Sequence, residues 1–341
     1  LLEDTSVEGF ARAALVFALV WWAWSAYAWL TDAIDVENTA TRLFIFGAML
    51  GAFFMALAVP DAFADEAAWF AVAYFAVRVL HVALYLWGVR GDPVQLVAVA
   101  PLPSFSLLAP ALVLVGGFVD DPARTALWVA SLAVDVVGTL FAGRSAAGFM
   151  VSASHFAERF ALIVIIALGE SIVAVGLAAE GLTEDATYTL AVAVSLAGAA
   201  AAWWAYFDWV QIAAEHALGR AGEATRGPMA RDVYTFFHYP IVLGIVFLAV
   251  AAKKTLSAPT EPLSDGGRAA LALGMALFLL GFGRVRLRVI RRFAWERIGA
   301  AVAVVVLVVV LDDADALVLL ALTVLVLVVA LALETVRLRE A

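Results

Sequence analysis

The chain has no cysteine, which removes disulfide frameworks, thiolate metal sites and cysteine nucleophiles together. Charge is scarce: 15% of the 341 residues are Asp, Glu, Lys or Arg, against roughly 25% in an ordinary soluble domain. Histidine occurs four times. The few charges sum to −9, a sign that argues against nucleic acid as a partner. The first residues, Leu1-Leu2-Glu3-Asp4, carry no basic stretch ahead of an apolar run, so they do not read as a signal peptide.

What fills the chain is apolar: 65% hydrophobic residues and a mean hydropathy of +1.00. That excludes a water-soluble domain, which is roughly 45–50% apolar, and a disordered tail. Runs of about 20 apolar residues recur along the whole length, and each is long enough to cross a hydrocarbon core as a helix. The expected fold is all-α, a polytopic transmembrane bundle of about eleven spans. They fall near 9–31, 40–59, 67–88, 94–119, 124–142, 156–179, 187–208, 233–252, 268–290, 295–311 and 316–334. In the fourth span Pro101, Pro103 and Pro110 would each break or kink a helix unless neighbours satisfy the freed carbonyls.

With this numbering the basic residues segregate. Arg42, Arg90, Arg144, Arg159, Arg220, Arg226, Arg231, Arg284, Arg286, Arg288, Arg291, Arg292, Arg297, Arg337 and Arg339 share one side. Arg12, Arg124, Lys253, Lys254 and Arg268 take the other, and Arg78 lies within a span. The positive-inside rule makes the first side cytoplasmic, with Ala341 inside and Leu1 outside. A further helix before Leu1 would return the N-terminus to the cytoplasm and bring the total to about twelve.

Trp21-Trp22-Ala23-Trp24 in the first span returns as Trp203-Trp204-Ala205-Tyr206 in the seventh. Ala83-Leu84-Tyr85-Leu86 in the third returns as Ala276-Leu277-Phe278-Leu279 in the ninth. Spans one and seven run the same way, so the implied repeat is parallel: six-helix halves, 1–155 and 156–341, with the first helix of the first half missing. The competing reading is that paired tryptophans mark interfacial belts.

An ionisable group at bilayer depth costs roughly 2.5–3.5 kcal/mol to insert and so normally faces protein or a cavity. Arg78 and His81 are three residues apart and share a helix face. Asp135 sits near the middle of the fifth span and Glu170, within Gly169-Glu170-Ser171, near the middle of the sixth. Glu170 lies about 16 Å along its helix from Arg159, too far to pair. It must stay protonated or find another partner, and Arg78 and Asp135 are the candidates. His155 and Glu158, with Asp208 and His238 at similar depth, could hold a divalent metal through nitrogen and oxygen ligands, His155, Glu158 and His238 being the best placed. The alternative is that His155 and Glu158 anchor the start of the sixth helix, where a carboxylate suits the dipole. No other cofactor is expected.

Several stretches carry a resemblance. They are Trp21-Trp22-Ala23-Trp24 through Asp32, Ala58-Val59-Pro60 with Ala62-Phe63, His155-Phe156-Ala157-Glu158-Arg159 through Gly169-Glu170-Ser171-Ile172, Trp203 through Asp208, and His238 before Gly244-Ile245. In this order the chain resembles the bacterial low temperature requirement A family over nearly its full length. The resemblance implies a polytopic protein of the bacterial cytoplasmic membrane, and it carries over no biochemical activity. Members typically begin with an acidic, aromatic helix of the type E-L-F-F-D-L-V-F-V, which this sequence lacks.

The expected function is a transporter of a small solute or ion, proton-coupled, with Glu170, Asp135, Arg78 and His81 in the coupling path. His155, Glu158, Arg159, Asp208 and His238 form a second, inner polar set. One alternative is an intramembrane metal-dependent enzyme on a lipid or isoprenoid, using His155, Glu158, Asp208 and His238. Another is a membrane protein without turnover, whose polar groups only staple helices. Membrane lipid is a partner in every case.

Overall fold

A computed structural model of the chain describes residues 4–91, 93, 102–142, 151–179 and 185–339. Among the described residues there is no β-strand, in keeping with the all-α expectation. The first helices are α1 (Val7–Ala33), α2 (Thr39–Ala58), α3 (Ala67–Val89), α4 (Leu102–Gly116) and α5 (Ala123–Ala142). They are followed by α6 (Ala153–Ala179), α7 (Ala186–Phe207), α8 (Val210–Arg220) and α9 (Glu223–Ala230). A π-helical turn, Arg231–Phe236, leads into α10 (His238–Ser257), α11 (Asp265–Ile290), α12 (Trp295–Val310) and α13 (Ala316–Arg339).

Among the described residues nine helical stretches are long and apolar enough to cross a membrane. Two other expected spans fall on shorter helices, α4 with 15 residues and α12 with 16. Residues 94–101 of the fourth expected span, Pro101 included, lie outside the described residues. Pro110 stands inside α4 without ending it. The connection 209–232, between the seventh and eighth expected spans, holds α8 and α9. The signal was present at Val210, Ala214 and Leu218, which recur every four residues and are all buried.

The helices cluster into two compact units. One holds Ala11–Phe156 with Ala221–Ala230, and the other holds Leu1–Phe10, Ala157–Arg220 and Arg231–Ala341. In the N-terminal unit α2 packs on α3, α3 on α4 and α4 on α5. In the C-terminal unit the same succession is α10 on α11, α11 on α12 and α12 on α13, with α13 also against α7.

Lipid tails are as apolar as leucine, so helices in a bilayer associate mainly by close packing and interhelical hydrogen bonds. Both are visible here. In the N-terminal unit Trp128 is fully buried, 5.0 Å from the Phe63 ring and 5.2 Å from Phe70, and its indole donates to the Val113 carbonyl at 3.1 Å. In the C-terminal unit a side chain on Gly244 would meet the Gly274 carbonyl and the Phe278 amide, both at 2.7 Å. Glycine therefore lets the α10 and α11 backbones touch. Outside the spans, the Asp121 carboxylate accepts from the Thr125 hydroxyl at 2.6 Å and from Arg12 at 3.1 Å. These bonds, Thr125 foremost with Arg12 and Arg124 adding to it, hold Asp121 below the usual carboxylate range.

Candidate functional site

The polar residues of α3 recur as Tyr74, Arg78, His81 and Tyr85, which places them on one helix face, and all four are buried. The buried stripe of α5 is Arg124, Trp128, Ser131 and Asp135. The two faces meet at mid-helix, where Arg78 Nη2 donates to Asp135 Oδ1 at 2.8 Å with side-chain exposures of 1% and 0%. Helix α1 closes the third side. The Trp22 side chain also hydrogen bonds the Asp135 carboxyl. The Tyr27 hydroxyl donates to the Val77 carbonyl at 3.0 Å, and its ring stands edge-on to His81 at 5.4 Å.

One bridge does not use up the hydrogen-bonding capacity of this cluster. Arg78 Nε and Nη1, the Tyr74 and Ser131 hydroxyls, His81 Nδ1 and Asp135 Oδ2 are all buried without a hydrogen-bond partner among the described residues. Each such atom costs about 1–3 kcal/mol if nothing satisfies it. Gathered around one ion pair, they supply donors and an acceptor of the kind that suits water, a proton or a small polar solute. The donors belong to Arg78, Tyr74 and Ser131, and the bare oxygen acceptor to Asp135.

The C-terminal unit carries a different cluster. Arg286 on α11 reaches Glu334 of α13 at 3.1 Å and Glu296 of α12 at 3.3 Å. Arg297 donates to Glu334 at 2.9 Å and to the Ala205 carbonyl at 3.3 Å, and lies 4.5 Å from the Phe282 ring centre. Arg337, with a side chain 60% exposed, closes on Glu296 at 2.8 Å. This network sits at helix ends on the arginine-rich side, whereas Arg78–Asp135 sits at mid-helix. Its geometry suits a clamp on α11, α12 and α13.

His238 is also in the C-terminal unit, and both of its ring nitrogens are engaged: Nδ1 with the Val233 carbonyl at 2.8 Å and Nε2 with the Tyr206 hydroxyl at 3.0 Å. A carbonyl only accepts, so Nδ1 carries the proton and Nε2 accepts from Tyr206. A cavity of about 60 Å³ opens between α6, α7, α10, α11 and α13, walled by Leu168, Val175, Ala202, Ile245, Met275 and Leu327. The hydroxyls of its Ser171, Ser195 and Thr323 bond back to carbonyls of their own helices, which leaves the wall apolar.

The sequence profile described as bacterial low temperature requirement A protein (LtrA) matches residues 1–332. The chain belongs to this family. An uncharacterized protein of Rhizobium meliloti (strain 1021) is 31% identical over 302 residues, covering 85% of the chain and 73% of that protein. No solved structure matches.

In this LtrA family member the residues expected from sequence fall into separate places. Arg78, His81 and Asp135 gather in the N-terminal unit. Arg78 and Asp135, the partners expected for Glu170, bond each other, and Glu170 belongs to the C-terminal unit. Glu170 is exposed on α6, on the face of Leu162, Ile166, Val173 and Leu177, because the helix turns Phe156, Phe160 and Val164 inward instead. His155 and Glu158 are exposed in the first turns of α6, with Arg159 half-buried behind them, and Asp208 is exposed at the end of α7. No group of three or more His, Asp or Glu among the described residues is placed to hold a metal. His238, the one deeply buried member of the proposed ligand set, spends both nitrogens on protein.

Sequence reasoning missed Trp22, Tyr74 and Ser131, and the whole Arg286–Glu334–Arg297 network. Tyr74 and Ser131 each lie one turn before a charged residue that was recognised, and that spacing could have found them. Glu334 ends an otherwise apolar run, which was a signal too. In sequence Arg286 is one of many arginines on the same side, and its neighbours obscure the one that turns inward.

Proposed function

We propose that this LtrA protein is a transporter of a small solute or ion in the bacterial cytoplasmic membrane, coupled to protonation of the Arg78–Asp135 pair. The arginine-rich side and the C-terminus face the cytoplasm. The observation that carries the reading is the wholly buried ion pair at mid-helix, surrounded by donors and an acceptor that are unpaired among the described residues. A proton arriving on Asp135 Oδ2 neutralises the carboxylate and removes the charge that holds Arg78. The guanidinium cannot lose its own proton, so it must seek another acceptor. In a low-dielectric interior that change of partner is large enough to shift α3 against α5. His81, one turn along α3, offers a bare ring nitrogen on the same face.

Purified full-length protein in liposomes containing a pH-sensitive dye tests this directly. An imposed pH gradient should move protons faster than in empty vesicles, and Asp135→Asn should reduce the rate to background while Arg337→Gln leaves it unchanged. Equal flux from the wild type and Asp135→Asn would refute the coupling role.

A further inference from the structure

The turn joining α11 to α12 has a surface that proton coupling does not use. Arg291 and Arg292 are exposed there, Arg284 is exposed about two turns earlier on α11 with its guanidinium 5.9 Å from the Phe237 ring centre, and no carboxylate among the described residues bridges them. The nearby acids are already committed: Asp232 to Arg231 and Arg288, Glu296 to Arg286 and Arg337, and Glu334 to Arg286 and Arg297. The surplus is therefore positive. Arg291 adopts a left-handed conformation with φ 56° and donates its amide to the Leu287 carbonyl at 3.1 Å, which fixes the turn that presents Arg291 and Arg292.

Directly after the arginines come Phe293 and Trp295, 56% and 64% exposed, stacked at 5.3 Å. From Trp295 the outer face of α12 continues through Gly299, Val302, Val306 and Val309, all exposed. These positions share one helix face. A side chain at Gly299 would meet nothing within 4 Å among the described residues, so the stripe has a shallow gap in it. Along about 21 Å of helix the surface passes from cation to aromatic ring to aliphatic wall. That order matches the headgroup, interface and acyl chain of one phospholipid in a leaflet about 15 Å deep, half of the hydrocarbon core.

We propose that this face binds an anionic phospholipid, its phosphate held by Arg291 and Arg292, with Arg284 adding charge, and one acyl chain lying along α12 over Gly299. Charge complementarity selects the anionic headgroup, since the turn offers donors and positive charge that no carboxylate among the described residues pairs. The site is independent of the Arg78–Asp135 reading.

Native mass spectrometry of the full chain, titrated with dioleoyl phosphatidylglycerol and with dioleoyl phosphatidylcholine, tests the proposal. Phosphatidylglycerol should bind at least tenfold more tightly. Arg291→Gln/Arg292→Gln should weaken phosphatidylglycerol about tenfold and leave phosphatidylcholine unchanged, and Arg291→Lys/Arg292→Lys should retain most of the binding. Gly299→Leu should weaken phosphatidylglycerol with the charge intact. Arg90→Gln removes an exposed arginine stacked over Trp87 in the other unit, and it should bind like the wild type. The proposal fails if the double glutamine variant binds normally or if Arg90→Gln loses as much.

Discussion

Replacing Asp135 with Asn keeps the shape of the side chain and removes its charge. Arg78, only 1% exposed in the structure, is then left as an ion without a counter-ion. Removing one partner of a buried pair costs about 3–5 kcal/mol, and arginine cannot escape by losing a proton. Arg78→Met leaves the opposite residue behind. The Asp135 carboxyl can become neutral by taking a proton, and it keeps its bond to Trp22. Its cost should be nearer the ~1–3 kcal/mol of an imperfectly satisfied polar group. The double variant removes both charges and should be no worse than Arg78→Met alone, so the two changes couple by several kcal/mol instead of adding. Denaturant titration in mixed micelles, followed by circular dichroism, measures all four proteins. The deficit of Arg78→Met should shrink as pH is lowered and its carboxyl gains a proton, whereas that of Asp135→Asn should not respond. Equal costs for the two single variants, or a double variant equal to their sum, would show that the pair is not the interaction described.

Gly274→Ala would place its methyl 2.9 Å from the Leu248 amide and 3.0 Å from the Gly244 carbonyl. It should cost about 1–3 kcal/mol, whereas Gly169→Ala, which meets nothing within 4 Å among the described residues, should be neutral or stabilising by up to ~1 kcal/mol; thermal unfolding of the two variants distinguishes them. Glu334→Gln strips the charge that both Arg286 and Arg297 use and should cost about 3–5 kcal/mol. Arg337→Gln, changed at an exposed arm, should stay within about 1 kcal/mol in the same denaturation assay. Asp121 has a folded-state acidity held below its ordinary value, so its contribution to stability is complete above roughly pH 4. It is lost as pH falls through the lower, folded-state value. An acid titration of Asp121→Asn should show a flatter loss of stability below pH 4 than the wild type does, and identical acid limbs would contradict the assignment.

The sequence by itself determined that the long apolar runs are helices. Apolar runs of bilayer length can satisfy their backbones only as helices, so the spans, and the scarcity of charge that made Arg78, His81 and Asp135 conspicuous, were legible residue by residue. Periodicity also determined which residues share a face, as with Arg78 and His81. It could not determine which face meets which neighbour, since any rotation of an apolar helix about its axis preserves the pattern. Tertiary packing decided that the faces of α3 and α5 bring Arg78 to Asp135, that α6 turns Glu170 outward, and that His238 gives both nitrogens to Val233 and Tyr206. Packing likewise drew Arg286 and Arg297 out of an arginine-rich run onto Glu334, because a buried carboxylate selects the guanidinium that can reach it.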